Sequence, residues 1–125
     1  MAQTPQYIGT PKSPSVAIST ANTNRDGTTG TYGTLMTAGA NGSRIDRIRI
    51  NATGSTTAGM IRLFVGSALV QEIPVVAVTP SATLPAWGVD VIFDNGLIVE
   101  AASVVKVATN NSESFSVTVT SGGDF

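Results

Sequence analysis

Apolar and polar positions alternate along most of this chain with a period of two and nowhere with the period of a helix, which predicts β-strands throughout. The clearest run is Trp87–Phe93, where Trp87, Val89, Val91 and Phe93 share one face. Ser114–Thr120 repeats the pattern, with Phe115, Val117 and Val119 inward and Ser114, Ser116, Thr118 and Thr120 outward. In Arg47–Ala52, Ile48, Ile50 and Ala52 alternate with Arg47, Arg49 and Asn51, the signature of a strand with one dry and one wet face. The next run, Met60–Val65, is apolar at nearly every position and predicts a strand covered on both sides. Between the two, Thr53–Gly59 is too polar and glycine-rich to extend either strand and reads as a connection between antiparallel neighbours.

Ser15–Thr20, Thr31–Thr37, Ala68–Val78, Leu97–Ala101 and Ser103–Thr109 complete the expected strands. Turn chemistry fills Ala21–Gly30 and marks Asn41-Gly42, Gly66-Ser67 and Asp94-Asn95-Gly96, the last turning one strand into the next. Pro74 lies inside an apolar run, which places that strand at an edge or at a bulge. Eight or nine short strands at this spacing predict an all-β fold, an antiparallel β-sandwich of jelly-roll type over residues 15–125. Ahead of it, residues 1–14 hold Pro5, Pro11 and Pro14 and predict an extended arm outside any sheet. Tyr7 and Ile8 give that arm apolar anchors for a neighbouring subunit.

Composition narrows the chemistry. With 125 residues, one domain can bury its core without staples. The chain has no Cys and no His, which removes thiolate and Ser–His–Asp catalysis and the usual zinc ligands. No cofactor or metal is expected. Charged residues make up 12% of the chain, half the usual share, and the net charge is −1. A surface so poor in charge suits contact with other proteins, and the near-neutral balance argues against nucleic-acid binding. The first residues show no leader, and no apolar run approaches the ~18 residues of a membrane helix.

Few side chains suggest a site. Asp90, Asp94 and Glu100 could form a carboxylate pair or an oxygen cage, but Asp90 falls on a wet strand face and Asp94 in a turn, so solvated acids are expected and an enzyme is not. Arg47 and Arg49 share a strand face, and Arg62 on the following strand is placed near them, with ion pairs in the sheet or to a neighbouring chain as their expected role. Trp87 is in phase with core positions and so is expected in the core, not as a sugar platform.

Arg44-Ile45-Asp46-Arg47-Ile48, Thr57-Ala58-Gly59-Met60-Ile61-Arg62-Leu63-Phe64 and the closing Gly122-Gly123-Asp124-Phe125, within a stretch from Ala21 to Phe125, resemble the capsid decoration, or cement, proteins of tailed bacteriophages. The resemblance implies a structural protein on the capsid exterior of a virion, made in the host bacterial cytoplasm, that stabilises the expanded shell by bridging neighbouring major capsid subunits. It also implies a homo-oligomer, a trimer foremost and a dimer in other cases. Tyr7, Ile8, Arg25, Arg47, Arg49 and Arg62 are the candidate contacts to capsid or neighbour. The alternative reading is a head-fibre or tail module that recognises host glycan through Trp87 or Tyr32.

Overall fold

The structure, a computed structural model, describes residues 7–125. Among the described residues nine strands form, in chain order: β1 (Thr10–Pro11), β2 (Ser15–Ile18), β3 (Gly33–Thr37), β4 (Ser43–Ala52), β5 (Gly59–Val65), β6 (Ala68–Val75), β7 (Gly88–Val99), β8 (Val104–Thr109) and β9 (Phe115–Asp124). No helix occurs among the described residues. One sheet has the order β1-β9-β4-β7, with β2 also pairing β9; the other runs β3-β8-β5-β6, and every strand pair is antiparallel. The two sheets make an all-β sandwich. The pairs β2·β9, β3·β8, β4·β7 and β5·β6 are nested, so the chain is one long hairpin, tipped by Gly66-Ser67, that is rolled across both sheets.

Period-two alternation builds the core between the sheets. Ile45, Ile48 and Ile50 of β4, Phe115, Val117 and Val119 of β9, and Val91 and Val99 of β7 face Ile61 and Leu63 of β5 and Val105 and Val107 of β8. Trp87 is buried just before β7, with its ring edge-on to Phe115 at a centroid distance of 5.9 Å. Val89 and Phe93 lie on the same inward side but are only half-buried, because β7 is the margin of its sheet. In β3 two successive residues, Leu35 and Met36, are buried, which a register shift between Thr34 and Met36 permits. Pro74 lies in β6, an edge strand, where a missing N–H breaks no ladder.

Three expectations are corrected. Thr53–Gly59 does not join antiparallel neighbours: β4 and β5 belong to different sheets, and the segment crosses between them. Arg62 therefore lies on a different sheet from Arg47 and Arg49. Asp94-Asn95-Gly96 does not reverse the chain either. Ile45 pairs with Leu97 and Arg47 with Ile92, so residues 93–96 leave the ladder as a wide bulge and β7 continues in the same direction. Asn95 and Gly96 take left-handed backbone (φ 65° and 80°), which accommodates the excursion, and the long β4 templates both halves of β7.

The third correction concerns the arm. Its first six residues fall outside the described ones. From Gly9 onward it is not free of the sheet: Thr10 pairs with Asp124 and Pro11 with Gly123 in β9. Gly9 N–H donates to the Asp124 carbonyl (2.9 Å), Lys12 N–H to the Gly122 carbonyl (3.0 Å) and Val119 N–H to the Pro14 carbonyl (2.9 Å). Pro14 serves here as an acceptor only, and Pro11, which has no N–H to donate, is tolerated at an edge position. A Cβ at Gly123 would stand 2.3 Å from the Thr10 carbonyl oxygen, so the close approach of the arm depends on this residue having no side chain.

Candidate interaction surface

The β3-β8-β5-β6 sheet is covered twice. In β5, Ile61 and Leu63 point to the core, whereas Arg62 and Phe64 point the other way and are still buried (4% and 0% exposed). Their cover is the turn-rich segment between β2 and β3, residues 19–32. Ala21 bridges Thr109 in parallel, and Asn22 N–H donates to the Thr109 carbonyl (2.8 Å). The buried Asn22 side chain then ties the segment together, its amide donating to the Thr31 carbonyl (3.0 Å) and its oxygen accepting from Asn24 N–H (3.0 Å). Asp26 accepts from the hydroxyl of Thr29 and from the N–H groups of Thr28 and Thr29, and these bonds, the hydroxyl foremost, hold its carboxyl well below the usual range. Gly27 follows with φ 73°, and a Cβ there would meet the Ser67 carbonyl oxygen at 2.4 Å, so the segment lies directly on the β5–β6 hairpin.

Aromatic and charged contacts finish the cover. The Tyr32 ring meets Phe64 edge-on, with centroids 5.2 Å apart and planes at 87°. The Lys106 ammonium stands 4.8 Å from the Tyr32 ring centroid and donates to the Gly27 carbonyl. Arg25 and Arg62 both donate through Nε to Oε2 of Glu72, at 2.8 and 2.9 Å, and Arg62 Nη1 reaches Asn110 Oδ1 at 3.3 Å. The two guanidinium groups, Arg25 first, lower the pKa of Glu72. Arg25 and Arg62, both expected as outward contacts, are thus the clasp that holds residues 19–32 on the sheet.

The arm has its own clasp. Asp124 pairs with Lys12 and accepts from the buried Ser43 hydroxyl (2.6 Å), which in turn accepts from Gly39 N–H (3.1 Å). Lys12, and after it Ser43, lowers the pKa of Asp124. Of the expected anchors, Ile8 is half-buried beside Pro11, Lys12 and Gly122, and Tyr7 is 73% exposed.

The outer face of the β9-β4-β7 sheet is open over Arg47, Ile92 and Ile98, which are exposed. Arg49 lies there, 3.5 Å from Asp90 and bonded to Asn51 (3.0 Å). Arg47 is exposed and makes no ion pair among the described residues. Beside these cations stand apolar side chains that alternation alone would reserve for polar ones: Ile92 (61% exposed) and Ile98 (59% exposed) on β7. Leu69, Val70, Val76 and Leu84 add exposed apolar surface on β6 and the segment after it. Apart from Tyr7, every exposed large apolar side chain among the described residues falls within β6, β7 and their connection. The signal was present in the sequence, since Ile92 sits out of phase with Val91 and Phe93.

Asp90 is taken by Arg49, Asp94 and Glu100 are exposed and apart in the chain, and no cluster of three potential metal ligands occurs among the described residues. Trp87 and Tyr32, the aromatic residues considered for glycan, are both engaged in packing. No protein-family model matches the chain, and neither a curated protein nor a solved structure matches it.

Proposed function

We propose that this chain is a jelly-roll structural protein of a tailed-phage virion, which decorates the capsid exterior and stabilises the expanded shell by bridging neighbouring major capsid subunits. The observation that carries the reading is the gathering of exposed apolar side chains on the two adjoining margins, β6 and β7, of a sandwich otherwise poor in charge. Exposed apolar side chains gathered in one region support a protein-binding role. The resemblance of Arg44–Ile48, Thr57–Phe64 and Gly122–Phe125 to decoration proteins supplies the kind of partner.

The mechanism is mechanical. A domain that binds across two capsid subunits, and binds neither once they separate, adds a stabilisation of RT ln(1 + [L]/Kd) per site to the closed shell. No proton transfer, metal or nucleophile takes part. The test uses expanded and unexpanded shells of the major capsid protein encoded with this chain. Saturable binding to expanded shells, with a rise in the temperature at which they rupture, is expected. Absence of binding, or binding with no change in rupture temperature, would overturn the proposal.

A further inference from the structure

Three dipeptides of this chain have the sequence that most readily closes a succinimide ring: Asn41-Gly42, Asn95-Gly96 and, as the acid counterpart, Asp26-Gly27. In that reaction the glycine nitrogen attacks the side-chain carbonyl carbon of the residue before it, and the closeness of the two groups in the chain favours the five-membered ring. Glycine presents its nitrogen with no side chain to crowd it. Every other Asn of the chain precedes a residue that has one. The three pairs differ in how the fold holds the glycine nitrogen and the carbonyl carbon it would attack.

Two of the pairs are restrained. Gly42 is buried, its N–H donates to the Gly39 carbonyl (3.1 Å) and its carbonyl accepts from Phe125 N–H (3.1 Å), so its nitrogen is engaged and fixed away from attack on Asn41. Gly27 is buried as well, and Asp26 accepts from Thr28 N–H, Thr29 N–H and the Thr29 hydroxyl. Those bonds keep the Asp26 carboxyl ionised, and a carboxylate is a poor target for a nucleophile. Asn95-Gly96 is the opposite case. Asn95 is exposed, and residues 93–96 stand outside the β4 ladder, so neither member of the pair has a cross-strand partner. The bulge itself calls for these two residues, since φ 65° suits Asn, φ 80° suits Gly, and a Cβ at position 96 would stand 2.6 Å from Arg44 Cδ. The fold thus requires the reactive dipeptide at a place where no ladder bond restrains it.

We propose that Asn95-Gly96 is a site of spontaneous deamidation, a self-modification that the folded chain permits there and denies at Asn41-Gly42 and Asp26-Gly27. The Gly96 nitrogen bonds to Asn95 Cγ and gives its proton to solvent, the bond from Cγ to the side-chain nitrogen breaks, and that nitrogen leaves as ammonia. Water then opens the ring at either carbonyl, leaving aspartate or isoaspartate at position 95. One water is consumed and one ammonia released, with no change of oxidation state. Each event takes the net charge of the chain from −1 to −2 and puts the new carboxylate next to the exposed Asp94 on the β7 margin. The isoaspartate product lengthens the main chain by one carbon. A paired strand would lose register to such an insertion, whereas the bulge takes it up outside the ladder.

The experiment is incubation of the isolated full chain at neutral pH, native and in concentrated urea side by side, with peptide mapping by mass spectrometry and enzymatic labelling of isoaspartate. In urea the two Asn-Gly pairs should react at similar rates, because their local chemistry is the same. In the native chain Asn95 should stay within about 3-fold of its urea rate, while Asn41 should slow by at least about 10-fold, the factor that engagement of the Gly42 N–H sets. Isoelectric focusing should show a band one charge more acidic growing with time, and the thermal midpoint of the aged protein should move by less than about 4 °C. Asn95→Gln, whose side chain would have to close a larger ring, should abolish that band, and Asn41→Gln should leave it. A native chain that forms no acidic band, or in which Asn95 is slowed as much as Asn41, overturns the proposal. So does a band that survives Asn95→Gln, or ring closure that comes first at Asp26. None of these readouts involves a capsid, so the result is independent of the function proposed above.

Discussion

Phe64→Ala tests whether residues 19–32 are part of the fold or a loose connection. Phe64 points away from the inter-sheet core, so a bare outer face would leave it exposed and its truncation nearly silent. It is instead 0% exposed beneath Tyr32. Truncation of a fully buried Phe costs about 3–5 kcal/mol, and loss of the edge-on pair places Phe64 in the upper half of that range. Against a total stability of about 5–15 kcal/mol, and a urea slope of about 1–3 kcal/mol per molar, the midpoint of urea unfolding should fall by about 2 M. A double-mutant cycle with Tyr32→Ala should show a coupling of about 0.5–1.5 kcal/mol, since each single change removes the same contact. Fluorescence-monitored urea unfolding of the four proteins gives both quantities. A loss below about 1 kcal/mol at unchanged slope, or zero coupling, would refute the cover as described.

Phe93→Ala should cost less than Phe64→Ala, about 1–2 kcal/mol in the same assay, because Phe93 is only half-buried on the margin strand; a loss as large as that of Phe64 would show β7 to be enclosed. Glu72→Gln should destabilise more than Arg25→Ala by thermal melting, since it weakens the partner of the buried Arg62, whereas Arg25 is exposed; the reverse order would refute the clasp. Gly27→Ala should lower stability by about 1–3 kcal/mol, as φ 73° and the Ser67 carbonyl at 2.4 Å both exclude a Cβ, and an unchanged melting point would contradict that geometry. Asp124 and Glu72 have lowered folded-state pKa values, so their contribution is present above the ordinary carboxylate range near 4 and is lost as pH falls through the folded values. The melting temperature should therefore fall on acidification below about pH 4, and less steeply in Lys12→Met; an identical slope in that variant would exclude Lys12 from the linkage.

The strands were legible because alternation is a local property of the residues that form them. Trp87, Val91, Phe115, Val117 and Val119 lie in the core as their phase predicts, and β5, apolar at nearly every position, is covered on both faces. Sheet membership was not legible in the same way. Whether Thr53–Gly59 turns back or crosses to the other sheet depends on which distant strand satisfies β4, and that strand is β9, more than sixty residues on. Asp94-Asn95-Gly96 has hairpin chemistry, yet a partner long enough to pair with both flanks turns it into a bulge. Arg62 makes the in-sheet ion pair that was one of its two expected roles, with Glu72, but strand phase says only that it points away from the inter-sheet core, not that residues 19–32 lie over it. Ile92 and Ile98 were the visible exceptions to alternation, and they mark the surface that carries the interaction reading.

The pairing of Thr10 with Asp124 has a bearing on how the domain carries load. The two ends of the described chain leave side by side from one corner, on antiparallel neighbours, so tension applied through them would peel β1 and then β2 from β9 one hydrogen bond at a time. Tension applied across the sandwich, between β7 and β2, would have to stretch whole ladders of the β7-β4-β9-β2 sheet at once. A domain loaded between the two margins of this sheet is then stiff, and the same domain pulled by its ends is soft; single-molecule pulling along the two directions would show rupture forces in that order.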